Sequence, residues 1–321
     1  MDRRSFLRIL PSGLLAANAP ALSQVPGKPL LLLVGGAPGS VPDLLARALS
    51  ERLAPGLATP VLVDNRPGAA GSIAMSALVR SAADGQTLAL ATMSQAVFNS
   101  YLFDKLPYDP LRDVEPVASL VTGAMVLAAH PGFVGNSLAD FNAEAKARPG
   151  RLFIAVPQLG SPPHVIALLL TRSAGVEVNM VPHKSGADAL TAVLSGEIPF
   201  IVEAPTTIAP LVRAGKLKAL AVTGRVREPL LAQTPTLIES GVDVQGEAWF
   251  GLLAPAGTPT AAIRRLNQEV NRVLLSPEMR EVLAKMSFRA QASSPEEFRQ
   301  LIRDEHARWG LTIRQAGIKL Q

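Results

Sequence analysis

Short apolar runs of strand length alternate along the chain with longer segments in which apolar residues recur at helical spacing. The run Leu30–Val34 enters a turn rich in glycine and proline, and apolar residues then recur at Leu44, Leu45, Ala48 and Leu49. This order predicts a β-strand, a tight turn and an amphipathic helix. Because glycine lets the backbone approach a ligand and the first amides of a helix lack intrahelical partners, the turn is suited to an anion.

The same alternation continues towards the C-terminus. Further strands are predicted at 60–64, 87–92, 114–121, 125–129, 152–156, 178–182, 198–202, 217–223 and 248–254. Further helices are predicted at 71–82, 138–147, 160–173, 186–194 and 206–214, with others that begin at 260, 277 and 295 and end near 317. Strands that alternate with helices favour parallel sheets built from βαβ units.

Two similar α/β lobes joined by two crossing segments follow from this order of elements. Each lobe is expected to hold a mostly parallel sheet flanked by helices. We assign residues 24–122 and 248–321 to the first lobe and residues 123–247 to the second. The C-terminal helices are expected to pack on the first lobe, with Trp249 and Trp309 in the core or between the lobes.

Composition narrows the classes of function. Hydrophobic residues make up 48% of the chain and charged residues 18%, as in ordinary globular domains. Aromatic residues are only 4%, and the net charge of +5 is spread along the chain, so no nucleic-acid partner is expected. The chain has no cysteine, which excludes disulfides and thiolate chemistry, and its four histidines lack metal-binding spacing. Neither a cofactor nor a metal is therefore expected.

The amino terminus has the features of an export signal. Arg3 and Arg4 precede a short, weakly apolar stretch, and small residues stand before Gln24. This pattern resembles the twin-arginine type of signal, with residues 1–23 removed by cleavage after Ser23 and the mature protein in the periplasm. The alternative is a basic amino-terminal helix that stays on the protein.

A set of motifs then occurs in an order that resembles a known family. They are PGSVPDLLAR (38–47), VDNRPGAAGSIA (63–74), ADGQTL (83–88), LPYDPLRD (106–113), ARPGRLFIA (147–155), GSPPH (160–164), VPHKSGADAL (181–190), AGKLKALAVT (214–223), TPTLIESG (234–241), WFGLLAPAGTP (249–259) and AGIK (316–319). The set resembles the Bug/TctC-type family, the extracytoplasmic solute-binding receptors of tripartite tricarboxylate transporters. The resemblance covers essentially the whole chain after the signal.

The resemblance implies a two-lobed fold of the periplasmic-binding-protein type, which closes like a flytrap over a small carboxylated solute. It implies delivery of that solute to a membrane permease and a protein that is not an enzyme; we expect a monomer. One ligand carboxylate is held in the family by backbone amides and waters between two loop-to-helix turns. Carried onto this sequence, the turns are residues 35–43 and 158–164.

The candidate ligand-binding residues fall in these turns and at the ends of neighbouring strands. They are Gly36, Ala37, Pro38, Gly39, Ser40 and Asp43 in the first turn, Thr92, Ser94, Gln95 and Asn99 after the third strand, Gln158, Gly160, Ser161 and His164 in the second turn, and Lys184 and Glu203. Strand ends of open parallel sheets are where ligands bind.

Several of these residues also have structural interpretations. Ser161 serves as the N-cap of a helix, as a ligand contact, or as both. His164 is either a cap or a ligand contact, and Asp43 is a partner of the helix dipole or a reader of a ligand amino group. Lys184 is a solvated surface cation or a positive charge for the distal end of the ligand. Glu203 would repel a second carboxylate, or pair with a ligand amine or with Lys184.

Four positions depart from the pattern of the family. Gly36 and Ser40 stand where members have an aromatic residue and a glycine, and His183 and Ser185 stand where tyrosine and glycine are usual. Loss of a ring and gain of a hydroxyl change the shape of the pocket, so the ligand is not inherited from relatives.

Parts of the sequence are also compatible with other functions. A periplasmic sensor of the same fold would bind the same class of ligand and signal to a membrane partner. A nicotinamide-dependent oxidoreductase is suggested by the glycines after the first strand and by Tyr101 and Lys105, but the G-x-G-x-x-G spacing is absent and Tyr101 is predicted in a loop. The sequence also lacks the G-x-S-x-G motif of hydrolases.

Overall fold

Two mixed sheets with helices on their faces form the framework of the chain. The computed structural model describes residues 28–244, 246–317 and 319, and the predicted signal lies outside them. The strands are β1 (Leu30–Val34), β2 (Val61–Asn65), β3 (Thr87–Thr92), β4 (Val114–Ala124), β5 (Val126–Ala129), β6 (Phe153–Pro157), β7 (Asn179–His183), β8 (Phe200–Glu203), β9 (Lys218–Val222), β10 (Glu247–Pro255) and β11 (Arg289–Ala290). The helices are α1 (Val41–Leu57), α2 (Ser72–Val79), α3 (Asn99–Leu102), α4 (Leu138–Ala147), α5 (Pro162–Ser173), α6 (Gly186–Leu194), α7 (Pro205–Arg213), α8 (Thr260–Leu274), α9 (Pro277–Lys285) and α10 (Pro295–Ala316).

The first sheet has the strand order β11-β4-β10-β3-β1-β2. Strands β1, β2 and β3 are parallel, whereas β10 is antiparallel to both β3 and β4. The second sheet has the order β7-β6-β8-β5-β9, with β6, β7 and β8 parallel and β5 antiparallel to β8 and β9. The two-lobed α/β architecture predicted from the sequence is therefore confirmed. The sheets are mixed and not mostly parallel as predicted, because β10 and β5 each pair antiparallel with both of their neighbours.

The chain passes between the sheets at two adjacent points. Ala124 at the end of β4 pairs with Glu247 at the start of β10, and Val126 at the start of β5 pairs with Glu203 and Val222. Both sheets therefore present the carboxyl ends of their parallel strands to the crossing. This arrangement places the loops after β1, β2 and β3 opposite the loops after β6, β7 and β8.

Helix caps fix where several helices begin. Ser137 and Ser294 each accept a hydrogen bond from the backbone amide three residues later, and the side chain of that residue bonds back to the cap. This reciprocal capping satisfies backbone donors that would otherwise lack partners. It explains why the predicted starts of α4 and α10 agree with the structure.

The hydrophobic core is continuous from one lobe to the other. The indole of Trp309 on α10 is fully buried and meets the Phe98 ring edge-on at 5.3 Å between centroids. Trp249 on β10 meets Phe298 in the same way at 5.5 Å. Because α10 packs on β4 and also touches α5 of the other lobe, the C-terminal helix links the lobes as well as covering the first.

Several details differ from the predictions. The strand predicted as buried at 60–64 is the edge strand β2, and Leu62 is 51% exposed because a neighbouring strand lies on one side only. Leu44, counted in the apolar stripe of α1, is 50% exposed. Tyr101 lies in the short helix α3 and not in a loop. A π-helical turn over Ser94–Phe98 and the short strand β11 were not predicted.

Thr223 joins the two crossing segments. Its backbone amide donates to the Met125 carbonyl at 2.9 Å, and its hydroxyl accepts from the Met125 amide at 2.8 Å. The hydroxyl also donates to the Gly246 carbonyl at 2.5 Å, and the Gly246 amide donates to the Thr223 carbonyl at 2.9 Å. Thr223 is fully buried, so water cannot replace these bonds.

The substitution Thr223→Val keeps the shape of the side chain and removes both hydroxyl bonds. It leaves the buried Met125 amide and Gly246 carbonyl each without one partner, so we expect the free energy of unfolding to fall by about 3 kcal/mol in chemical denaturation. The matched control is Thr191→Val, because the Thr191 hydroxyl also donates to a carbonyl, that of Ala187, but is exposed on α6. Equal losses in the two variants would contradict a special role for Thr223.

Candidate functional site

The two predicted turns share one local design. Each has a glycine in the left-handed region, Gly39 at φ +80° and Gly160 at φ +76°. Each glycine is followed by a serine at the N-cap position, Ser40 for α1 and Ser161 for α5. Prolines then lie in the first turn of each helix, Pro42 in α1 and Pro162 and Pro163 in α5. The backbone N–H that proline lacks would have no intrahelical acceptor at these positions.

In both turns the glycine amide is bound by the side chain four residues later. The Gly39 amide donates to Asp43 Oδ2 at 2.8 Å, and the Gly160 amide donates to His164 Nδ1 at 3.0 Å. These contacts fix the turns and account for the positions of Asp43 and His164. The amides of Ala37 and Leu159 donate to no described group, so they remain free to meet a ligand.

Asp43 is only 2% exposed and forms the centre of the first turn. Burial raises the pKa of its carboxyl, but hydrogen bonds from Arg47, the Gly39 amide and Asn65 outweigh this and leave the pKa below its usual range. Arg47 Nε lies 3.0 Å from Asp43 Oδ2, and the Asn65 amide group donates to the Gly36 carbonyl at 3.0 Å. The charge of Asp43 is therefore balanced within the first lobe.

His164 holds the second turn as a neutral ring. Burial lowers its pKa to about 4. Since Nδ1 accepts from the Gly160 amide, the ring proton of the neutral form is on Nε2. Protonation of Nδ1 would place two donors against each other and break this contact.

The two serines at the N-cap positions do not cap their helices through their side chains. Ser161 Oγ donates to the Pro157 carbonyl at 2.9 Å, and Ser40 Oγ is buried without a hydrogen-bond partner. A Cβ on Gly36 would lie 2.5 Å from Ser40 Oγ and 2.6 Å from Pro42 Cγ. Two of the positions that depart from the family pattern, Gly36 and Ser40, are therefore in contact.

The loop after β3 connects the first lobe directly to the second turn. Ser94 Oγ donates to the Gly160 carbonyl at 2.8 Å, and this bond is buried. Gln95 Oε1 accepts from the Thr92 amide at 2.6 Å and from the Thr92 hydroxyl at 2.5 Å. Thr92, Ser94 and Gln95 thus lie together where the two lobes meet.

Asn99 lies behind this loop and has no exposed surface. Its amide group donates to the Ala70 carbonyl, Ser72 Oγ and Tyr108 Oη at 3.2–3.3 Å. Tyr108 Oη in turn donates to the Gln95 carbonyl at 2.8 Å. Burial raises the pKa of Tyr108 to about 12, so its hydroxyl stays protonated as a donor. Asn99 supports the loop from inside the lobe.

The remaining candidates lie at the carboxyl edge of the second sheet. The Gln158 amide donates to the His183 carbonyl at 3.0 Å, and its side chain donates to the Lys184 carbonyl at 3.2 Å. The Lys184 side chain is exposed and forms no ion pair with a described residue. The structure brings Gln158 and Lys184 together beside the second turn.

Glu203 lies at the same edge, at the amino ends of two helices. Its Oε1 accepts from the Ala204 amide at 2.8 Å, just before α7, and its Oε2 would be 2.6 Å from a Cβ on Gly186, the first residue of α6. Burial raises its pKa. It does not pair with Lys184, and no described cation lies within ion-pair distance. Two helix amino ends favour a negative charge at this position.

The sequence interpretation missed the loop between β2 and α2 as part of the site. Gly68, Ala69, Ala70 and Gly71 all have positive φ, between +47° and +120°. Left-handed alanines are uncommon, and strain of this kind concentrates at functional loops. A Cβ on Gly35 would lie 2.8 Å from Gly71 Cα, so this loop touches the first turn. The run of small residues at 69–71 was the feature of the sequence that could have indicated a tight loop here.

Tyr101, which suggested the oxidoreductase alternative together with the glycines of the first turn, bonds to α10 and to neither turn. Tyr101 Oη donates to the His306 carbonyl at 3.0 Å on α10, and burial raises the pKa of Tyr101, the opposite of what a catalytic phenolate needs. In the part of the chain that the structure describes, no group of three or more histidine, aspartate and glutamate side chains could hold a metal ion. Within the same residues, no helix combines the length and apolar character needed to cross a membrane.

Comparison with known proteins identifies the family. The profile of the tripartite tricarboxylate transporter family receptor, TctC, matches residues 45–318. The chain belongs to this family. Members are periplasmic solute-binding receptors.

Individual relatives cover almost the whole receptor. Protein BugT of Bordetella pertussis is 33% identical over 298 residues, which cover 92% of this chain and 91% of BugT. The solved structure of R. palustris Rpa4515 with adipate is 31% identical, with a TM-score of 0.82 over 92% of this chain and 99% of that one. MatC (Rpa3494) from Rhodopseudomonas palustris with bound malate is 30% identical, with a TM-score of 0.79 over 90% and 99%.

The contact between His164 and Gly160 predicts a pH dependence of stability. Because the pKa of His164 falls from an ordinary 6.5 when unfolded to about 4 in the folded chain, this residue contributes full stability above pH 6.5 and loses it as the pH falls towards 4. In His164→Asn the side-chain oxygen can accept the same bond but does not titrate. We therefore expect the free energy of unfolding of this variant to fall by up to about 3 kcal/mol less than that of the wild type as the pH decreases from 7 to 4. The measurement is chemical denaturation at several pH values between 4 and 7.

The control is His130→Asn. His130 Nδ1 also accepts from a glycine amide, that of Gly132 at 3.0 Å, but at an exposed turn. The prediction for His164 is wrong if the two variants have the same pH profile.

The bond from Ser94 to Gly160 predicts a coupling between the lobes. Ser94→Ala removes a single neutral hydrogen bond, so we expect the ratio of open to closed molecules to rise by about 2- to 10-fold. X-ray scattering or energy transfer between dyes on the two lobes measures this ratio, and Ser94→Thr should restore it. Ser81→Ala is the matched control, because the Ser81 hydroxyl donates to the Leu78 carbonyl within one lobe. An unchanged ratio in Ser94→Ala would contradict the coupling.

Proposed function

We propose that this receptor captures a small carboxylate-bearing solute between its two lobes and delivers it to the membrane permease of a tripartite tricarboxylate transporter. The observation that carries the proposal is the pair of glycine-serine-proline turns at the two facing sheet edges. Both turns open helices towards the same space, and both keep a backbone amide free. Adipate and malate, named with the two solved relatives, are both dicarboxylates.

The binding mechanism follows from the charges of the turns. Asp43 is balanced by Arg47 and His164 is neutral, so neither turn presents a net negative side chain to the space between them. Helix amino ends and free amides then favour an anion. A solute carboxylate that bridges the turns gains these contacts only when the lobes are together, so binding shifts the population towards closure. A permease can recognise the closed shape.

The proposed ligand-contacting set consists of the two turns and the loop after β3. Gly36, Ala37, Pro38, Gly39 and Ser40 belong to the first turn, Gln158, Gly160 and Ser161 to the second, and Thr92, Ser94 and Gln95 to the loop between them. Lys184 is positioned to supply a positive charge at the outer end of the solute. We also propose that the receptor is exported, that its signal is cleaved after Ser23, and that it acts as a monomer in the periplasm.

A thermal-shift screen of the chain from Gln24 tests this function. The compounds are adipate, malate, citrate, benzoate, glutamate and nicotinamide cofactors, with the uncharged carboxamide of each acid as its matched control. We expect one class of carboxylate to raise the unfolding midpoint with the concentration dependence of mass action, equivalent to about 2.7 kcal/mol at 100 times the Kd. The corresponding carboxamide should have little effect.

Two results would contradict the proposal. A shift with nicotinamide cofactors alone would favour the oxidoreductase, and equal shifts with an acid and its carboxamide would show that charge is not recognised.

A further inference from the structure

The side chain of Gln95 has a fixed orientation. Gln95 is 7% exposed, and both bonds from Thr92 converge on its Oε1. A backbone N–H can only donate, so the contact with the Thr92 amide requires the oxygen of the side-chain amide on this side. The Nε2 group therefore points the opposite way.

Two glycines make room for the Nε2 group. A Cβ on Gly71 would lie 1.8 Å from Gln95 Nε2, and a Cβ on Gly35 would lie 2.9 Å from it. Any side chain at position 71 would therefore displace this group, and Gly71 also has φ +82°. Gln95 Nε2 consequently lies between the backbones of the first turn and the loop before α2, at the edge of the first lobe that faces the second.

No described residue accepts a hydrogen bond from Gln95 Nε2. The Nε2 atom keeps some accessible surface although the residue is 7% exposed, so an acceptor from outside the chain, water or a ligand, can reach it. Since the group can only donate, that partner has to carry an acceptor. A carboxylate oxygen is the strongest acceptor among the groups of small organic solutes, because its bond with the amide is charge-assisted.

The turn that carries Gln95 is held rigidly from behind. It is the π-helical turn Ser94–Phe98, a geometry often found at functional sites. Tyr108 Oη donates to the Gln95 carbonyl at 2.8 Å, and His306 Nε2 donates to the Ala96 carbonyl at 2.8 Å. The neighbouring Ser94 bonds to the second lobe, so a ligand held by Gln95 lies beside the contact that joins the lobes.

We infer that Gln95 is the side chain by which this receptor selects an anionic solute, with its Nε2 group donating to the ligand carboxylate beside Gly35 and Gly71. This inference rests on the proposed function and adds the residue that decides the charge of the ligand. Thr92 acts as the positioning residue, because it determines which end of the side-chain amide faces the ligand.

The test is Gln95→Glu, which has nearly the same shape and keeps an acceptor for Thr92. The donor is replaced by a second carboxylate oxygen, so at pH 8 we expect affinity for the bound carboxylate to fall by about 100-fold or more. At lower pH the introduced carboxyl takes up a proton and becomes a donor again, so affinity should recover as the pH falls to 5. The wild type should not show this recovery.

The probes are adipate, malate, citrate, benzoate and glutamate, measured by isothermal titration calorimetry. The control is Gln268→Glu, which makes the same change of charge on the exposed face of α8 and should bind like the wild type. In parallel, the side-chain amide signals of Gln95 in ¹⁵N-labelled wild type should shift when a bound probe is added. This second measurement does not depend on the folding of a variant.

The outcomes separate the two proposals. If the wild type binds a probe and Gln95→Glu, folded as judged by circular dichroism, binds it within about threefold at pH 8, Gln95 does not select the anion while the receptor function stands. Unmoved Gln95 amide signals in the wild type with bound probe overturn the inference in the same way. If the wild type binds none of the probes, the proposed function fails and the inference fails with it.

Discussion

The facing arrangement of the two sheets depends on the junction at Met125, Thr223 and Gly246. Four hydrogen bonds tie the outgoing and returning segments to each other, and the central threonine is fully buried. On either side of this junction, β5 and β10 run antiparallel to their neighbours, which points the carboxyl ends of both sets of parallel strands at one space. This junction, together with α10 and the bond from Ser94 to Gly160, holds the two turns on the two lobes opposite each other.

The two turns show that one backbone design can be stabilised by different chemistry. In the sequence they are Gly-Ser-Val-Pro-Asp from Gly39 and Gly-Ser-Pro-Pro-His from Gly160. An aspartate closes the first turn and a neutral imidazole closes the second, in both cases through the glycine amide. Each solution leaves no unbalanced negative charge in its turn: Arg47 balances the aspartate, and burial keeps the histidine neutral. The helix amino ends then favour a negative group near both turns, as the proposed function requires.

The sequence predicted the fold more completely than the site. Strands β1 and β3 and helices α4 and α6 agree with the predicted bounds, because local periodicity, capping and turn residues all indicate the same elements. Whether a strand lies at the edge or in the centre of a sheet depends on distant parts of the chain. The local sequence of β2 does not show this, so the edge strand was predicted to be buried. The left-handed turn at 68–71 and the π-helical turn Ser94–Phe98 were missed because their conformations are imposed by neighbours such as Gln95 and Tyr108. Asn99 is a polar residue after a parallel strand and was therefore a candidate ligand contact, but its side chain is buried inside the lobe and bonds to the Ala70 carbonyl.

The first turn also explains why ligand identity does not follow from family membership. A Cβ at position 36 would collide with Ser40 Oγ and with the ring of Pro42, so a larger side chain at 36 and the hydroxyl at 40 are incompatible in this conformation. The two departures from the family pattern are therefore sterically coupled, with Pro42 also in the way of a side chain at position 36. Exchange of Gly36 alone would force Ser40 and Pro42 to move, and the first turn would move with them. The shape of the pocket is in this sense a property of both positions together, and relatives that differ at either of them need not share its solute.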